Sequence, residues 1–263
     1  MCVIDGKYWE VSGAVNDIRL VVTDIDGTLV PNHGHEPSPA VHEAIRRLQS
    51  AGVHVAIASA RPAGYAQDLV SAAGLHGPQV IDGGATIYDF DSGEALSKKW
   101  FDVARLRKIV ATLQQHALVI DAFPDFKVVP IEVFSIDSIV EPAPYVYAKI
   151  RESSHDEVWQ ALMPIAGIDF QVVAVEPGYE HVQVCDQAAT KQHGVERLQR
   201  LLGVSAAQTL AIGDADNDLA LFAAADERVA MGNATATVKQ AATYITDSVD
   251  DDGWVSAMKH FGL

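Results

Sequence analysis

The chain is poor in cysteine, with only Cys2 and Cys185 among its 263 residues. Two thiols cannot build a disulfide framework and lack the paired spacing of a structural zinc site, so both read as inert. Long apolar runs are missing as well: none approaches the roughly 18 residues that a membrane-spanning helix needs. Residues 1–16 hold Asp5, Lys7 and Glu10 where a signal peptide would carry its apolar segment. The expectation is a cytoplasmic protein with no membrane partner. Positive charge is scarce too. Against 35 acidic residues stand 19 Lys and Arg, a formal net charge of -16, and no basic run interrupts it. Nucleic acid and anionic surfaces would be repelled. A small anionic substrate stays compatible with this charge, because a local cluster of metal, lysine and backbone N–H groups outweighs a remote surface screened over roughly 8–10 Å. Internal repeats and low-complexity tracts are absent.

What the chain does have is an ordinary globular composition, 49% hydrophobic and 21% charged, which suffices for a core. The length suits two modest domains. Leu20-Val21-Val22 is a β-branched run of the kind buried on both sheet faces, and it ends at Thr23-Asp24. Ser38 and Pro39 read as an N-cap and first helical residue, followed by Val41, Ile45 and Leu48 at helical spacing up to Gly52, a helix over 39–51. Residues 53–58 form a second strand, completing a parallel strand–helix–strand unit. The alternation returns near the end: helix from Gly194 to Leu202, strand from Thr209 to Ile212, helix from Asp218 to Ala225, then short strands around Val229 and Tyr244–Ile245. The fold class is therefore α/β, a doubly wound parallel sheet whose ligands sit beyond the carboxyl ends of its strands. Between Ala85 and Asp186 the texture changes to short strands (Leu118–Ala122, Lys127–Val129, Gln171–Val175), helices near 102–115 and 155–163, and frequent prolines. We expect a core of residues 1–84 and 187–263 with an inserted α+β domain at 85–186.

Two acidic clusters lie at strand ends. Asp24-Ile25-Asp26-Gly27-Thr28 places two carboxylates two residues apart where the chain turns. At about 4 Å, two such charges repel by about 4 kcal/mol at an effective dielectric near 20, so the arrangement calls for a cation or a shared proton. Magnesium, bound through one or two carboxylates plus substrate oxygens, supplies it. Asp214-Ala215-Asp216-Asn217-Asp218 follows the strand ending at Gly213; it resembles the start of a calcium loop, but Leu219 stands where that loop requires glycine. His33 and His35, beside Gly34 in a turn, read as solvated, and Asp250-Asp251-Asp252 as a solvated loop.

Taken together these residues resemble the haloacid dehalogenase superfamily of phosphohydrolases, in its Cof-like branch (subfamily IIB), which carries a large C2-type cap. The D-x-D-G-T-L motif is matched position by position by Asp24 to Leu29. The second motif corresponds to Ser59-Ala60-Arg61, with Ala60 where the family has glycine; the third to Lys191 before a helix; the fourth, G-D-x-x-N-D, to Gly213–Asp218. Met231-Gly232-Asn233-Ala234 also looks like that branch, whereas Gly83 replaces its usual asparagine at the cap entrance. The resemblance implies a magnesium-dependent phosphatase acting on a small phosphorylated metabolite, with sugar phosphates first among the candidates. Asp24 would be the nucleophile and Asp26 the general acid/base. Ser59, Lys191, Arg61 and Asn217 would bind phosphate or substrate, and Asp24, Asp26, Asp214 and Asp218 the metal. Two alternatives stay open: a phosphomutase of the same superfamily, and a phospho-accepting module without turnover. The insert of about 100 residues and the presence of Asp26 weigh against the second.

Overall fold

The computed structural model describes residues 2–4, 7–9, 17–31, 36–121, 129–130 and 134–263. His33 and His35 lie outside these residues, as does most of the strand expected over Lys127–Val129. The chain divides into two compact units: Met1–Ala58, Gln67–His76 and Leu198–Leu263 form the first, Ser59–Ala66 and Gly77–Arg197 the second.

The first unit begins with an antiparallel hairpin, β1 (Cys2–Ile4) and β2 (Lys7–Trp9). Then come β3 (Leu20–Thr23), α1 (Pro39–Ser50) and β4 (His54–Ile57). Every residue of β3 is buried, as its unbroken apolar run predicts. In α1 the Ser38 hydroxyl accepts from Val41 N at 3.2 Å, and Val41, Ala44, Ile45 and Leu48 form the buried stripe. Gly52, at φ 83°, turns the chain into β4. The helix α2 (Ala63–Ala73) bridges both units in sequence.

The second unit has two antiparallel sheets. The smaller joins β5 (Pro78–Ile81), β6 (Thr86–Asp89) and β7 (Glu94–Lys98) in sequence order. Then follow α3 (Val103–Leu113), β8 (Ala117–Asp121), β9 (Val129–Pro130), β10 (Tyr145–Arg151), α4 (His155–Leu162), β11 (Ile168–Glu176) and β12 (Tyr179–Asp186). The larger sheet runs β11-β12-β10-β8-β9. Alternation puts Val146, Ala148, Ile150, Val182 and Val184 into a core shared with Ile109 and Leu113 of α3 and Val158 and Leu162 of α4. This unit takes in the expected insert and adds segments on either side of it, because β5 bonds laterally to β6.

The chain returns through α5 (Lys191–Leu202), β13 (Thr209–Gly213), α6 (Leu219–Phe222), β14 (Glu227–Ala230), α7 (Ala236–Ala241), β15 (Tyr244–Ile245) and α8 (Gly253–His260). In the first unit the five parallel strands stand in the order β15-β14-β13-β3-β4. The chain leaves β3 toward one edge and β13 toward the other, so a topological switch point lies between them. Two helices differ from expectation. α5 starts at Lys191, three residues before Gly194, since Thr190 Oγ1 caps it by accepting from His193 N at 3.4 Å. The helix expected over Asp218–Ala225 is a 3-10 turn at Asp216–Asp218 and the single turn α6. No helix of the described residues is long and apolar enough to cross a membrane.

Candidate active site

Asp24 follows β3 and Asp214 follows β13, the two strands that flank the switch point. Asp24 N donates to Ile212 O at 3.1 Å, continuing the ladder and fixing the level at which the chain departs. The turn after it is organised around one carbonyl: Ile25 O accepts from Leu29 N at 2.9 Å and Val30 N at 3.0 Å. Gly27, at φ 80°, occupies the crowded point of this turn, and a Cβ there would lie 2.4 Å from Asp214 Oδ2. Glycine is therefore needed twice over, for backbone sign and for space. The buried Thr28 hydroxyl donates to Asp214 Oδ1 at 2.7 Å and aims that carboxylate.

The second acidic loop is held by its own last residue. Asp218, fully buried, accepts from Asp214 N at 3.0 Å and Ala215 N at 3.1 Å through Oδ2. It folds back so closely that a Cβ on Gly213 would sit 2.5 Å from Asp218 Cβ, which explains the glycine that opens the motif. This fold-back is also what tightens the turn and shortens α6. Asp24, Asp214 and Asp218 each offer an oxygen, and these oxygens lie within 4.8 Å of one another. Trans ligands of magnesium stand about 4.2 Å apart at Mg–O distances of about 2.1 Å, so three hard carboxylate donors at this spacing fit a small divalent cation. Asp26, half-buried, is not one of the three. Asn217 is exposed on the 3-10 turn.

A residue given no role by sequence reasoning completes this side. Asn233 Nδ2 donates to Gly27 O at 2.8 Å and approaches Asp214 Oδ2 at 3.4 Å, while its Oδ1 accepts from Val249 N at 2.9 Å. It ties three loops together. Its signal was the Met231–Ala234 stretch, visible as a pattern without a function.

Ser59, Arg61 and Lys191 belong to the second unit. Ser59 is buried, its Oγ accepts from Arg61 N at 3.1 Å, and its carbonyl accepts from Gly83 N at 3.0 Å. Gly83 adopts φ 66°, ψ 13°, a conformation that asparagine also visits, so either residue suits the backbone there. Lys191 is 6% exposed at the first residue of α5. Lysine is almost never that buried unless paired, and the positive end of a helix dipole disfavours it there. Cys185 is inert as expected: burial, followed by the nearby negative charges of Asp169 and Asp186, pushes its thiol up to about 12.

Residues 21–161 and 148–258 match the family model described as haloacid dehalogenase-like hydrolase. The 5-amino-6-(5-phospho-D-ribitylamino)uracil phosphatase of Bacillus subtilis is 26% identical over 247 residues, 94% of this chain and 97% of its own length. Among solved structures, a phosphatase of the haloalkanoate superfamily from Bacteroides thetaiotaomicron superposes with a TM-score of 0.80 at 22% identity, covering 97% of this chain and 98% of its own. A sugar phosphatase of subclass IIB superposes at 0.74 with 24% identity, covering 93% and 99%.

Proposed function

We propose, from the premise that this chain belongs to the haloacid dehalogenase-like hydrolase family, that it is a magnesium-dependent phosphatase hydrolysing small phosphate monoesters through an aspartyl phosphate on Asp24. The observation that carries the reading is the gathering of Asp24, Asp214 and Asp218 at the carboxyl ends of β3 and β13. Sugar or polyol phosphates are the favoured substrates, supported by the phosphoribityl compound named for the Bacillus relative and by the sugar phosphatase of similar fold. The inserted segment 85–186 would select the leaving group.

The reaction balances on this chain's own groups. An Asp24 carboxylate oxygen attacks phosphorus in line as the bond to the leaving oxygen breaks, and Asp26 gives that oxygen its proton. Asp26 then takes a proton from water, whose oxygen attacks phosphorus, releasing inorganic phosphate and restoring Asp24. Ser59 donates to a phosphoryl oxygen, Lys191 offsets phosphate charge, and Arg61 and Asn217 contact substrate, roles carried by the family motifs. A cation held by Asp24 and Asp214, with Asp218 and Asp26 supporting, would offset the repulsion between carboxylates and phosphate. Thr28 and Asn233 hold Asp214 in position for it.

Phosphate release from phosphosugars, nucleotides and pyridoxal phosphate, with magnesium or chelator, tests this reading. Asp24→Asn should abolish turnover with the fold intact, and Asp26→Ala should lower kcat by roughly 10²–10⁴-fold. Wild-type rates in Asp24→Asn would end the mechanism, and rearrangement without phosphate release would favour a mutase.

A further inference from the structure

A cavity of about 370 Å³ lies wholly within the second unit. That is the size of a small-molecule site. Its walls are mainly apolar and aromatic, with Ile81, Tyr88, Trp100, Pro142 and Pro144 among them, and its one deeply buried charged group is Asp82, 5% exposed. Asp82 is built into this position. Its backbone is left-handed at φ 55°, and its N–H donates to Arg61 O at 3.1 Å. Carboxylate Oδ2 accepts from Thr86 Oγ1 at 2.6 Å, and Thr86 Oγ1 accepts in turn from Trp100 Nε1 at 2.9 Å. The single hydroxyl proton of Thr86 is committed to Oδ2 and the indole proton to Thr86. Among the described residues, no donor reaches Oδ1.

A buried carboxylate with one oxygen unserved prefers a proton or a cationic donor. The other charged residues lining the cavity, Lys98 and Glu141, are exposed and opposite in sign, with Lys98 Nζ 4.4 Å from the centroid of the Trp100 ring. The Tyr88 hydroxyl donates to Gly93 O at 3.1 Å. The net charge of the lining is thus that of Asp82.

We propose that this cavity binds a small molecule made of a compact apolar or aromatic body and a protonated nitrogen, the nitrogen pairing with Asp82 and the body lying against the Trp100 and proline walls. None of the residues given a step in the hydrolytic reaction lines this cavity, so the site stands or falls separately from the phosphatase reading.

The probe is benzylamine, with benzyl alcohol as its neutral counterpart, titrated calorimetrically into the full chain at pH 7.5. Benzylamine should bind saturably and at least about tenfold more tightly than the alcohol, as a charge-assisted bond requires. Asp82→Asn keeps an acceptor for Thr86 and tolerates the left-handed backbone, and it should erase that difference. Should the variant fail to fold by circular dichroism, the wild type decides. Burial pushes the Asp82 carboxyl up to about 6, while benzylamine stays charged, so its apparent Kd should rise about tenfold from pH 7 to pH 5. Absent saturation, equal affinity for the alcohol, or an affinity indifferent to both Asp82→Asn and pH would overturn the proposal.

Discussion

At the scale of single residues, the glycines of the acidic loops are as decisive as the carboxylates. Gly27→Ala would place a Cβ 2.4 Å from Asp214 Oδ2 on a backbone at φ 80°. The variant should lose at least about 1 kcal/mol of stability from backbone strain alone. It should also require more magnesium for half-maximal rate, as a metal titration alongside thermal melts would record. Asp82 sets a different dependence. Burial, opposed in part by the Thr86 hydrogen bond, raises its carboxyl from 3.8 to about 6 in the folded protein. The folded state therefore binds this proton more tightly than the unfolded chain does. Below about pH 4 the group is neutral in both states; as the pH rises through 6 the fold must ionise a buried carboxyl and loses roughly 3 kcal/mol. Asp82→Asn should accordingly gain stability at pH 8 relative to wild type and gain little at pH 4, measured by denaturant unfolding at both values.

At the scale of elements, α5 shows how Lys191 is held. Gly84 lies at φ 105°, where a Cβ would come 2.1 Å from Thr190 O, and a Cβ built on Gly194 already stands 2.9 Å from Gly84 Cα. The Arg197 guanidinium donates to Gly84 O and Ala188 O. The first turn of α5 is thus packed backbone against backbone. Gly84→Ala should cost about 2–4 kcal/mol and lower kcat by displacing Lys191, seen as a lower Tm together with a slower saturated rate. Resemblance to the family's third motif singled out Lys191, and the helical stretch behind it was legible in the sequence. It could not find why Gly84 and Gly194 matter, since their reasons are a positive φ and contacts from about 110 residues away. The same contrast runs through the fold. β3, β4 and β13 were legible as β-branched runs, and α1 from its cap and stripe. The shortening of α6 was not, because Asp218 folds back on Gly213, and neither was the role of Asn233, which acts across more than 200 residues of chain.

At the scale of the whole molecule, the net charge of -16 opposes an anionic substrate before any local contact forms. With magnesium held saturating, kcat/KM should rise a few-fold as ionic strength goes from 0.01 M to 0.15 M, because the Debye length shrinks from roughly 30 Å to about 8 Å. A neutral competitor should show no such trend.

The placement of β3 between β4 and β13 also bears on how the chain comes to be folded. Leu20 pairs with His54 on one side and with Thr209 on the other. On a ribosome adding roughly 5–20 residues per second, the second neighbour emerges about 8–30 s after the first. During that interval the Leu20–Thr23 strand, three of its four residues apolar, presents an open edge, the kind that templates pairing between chains. The residues between Phe101 and Val184, which share a core of their own, are all made before β13, so the parallel sheet cannot close until after them.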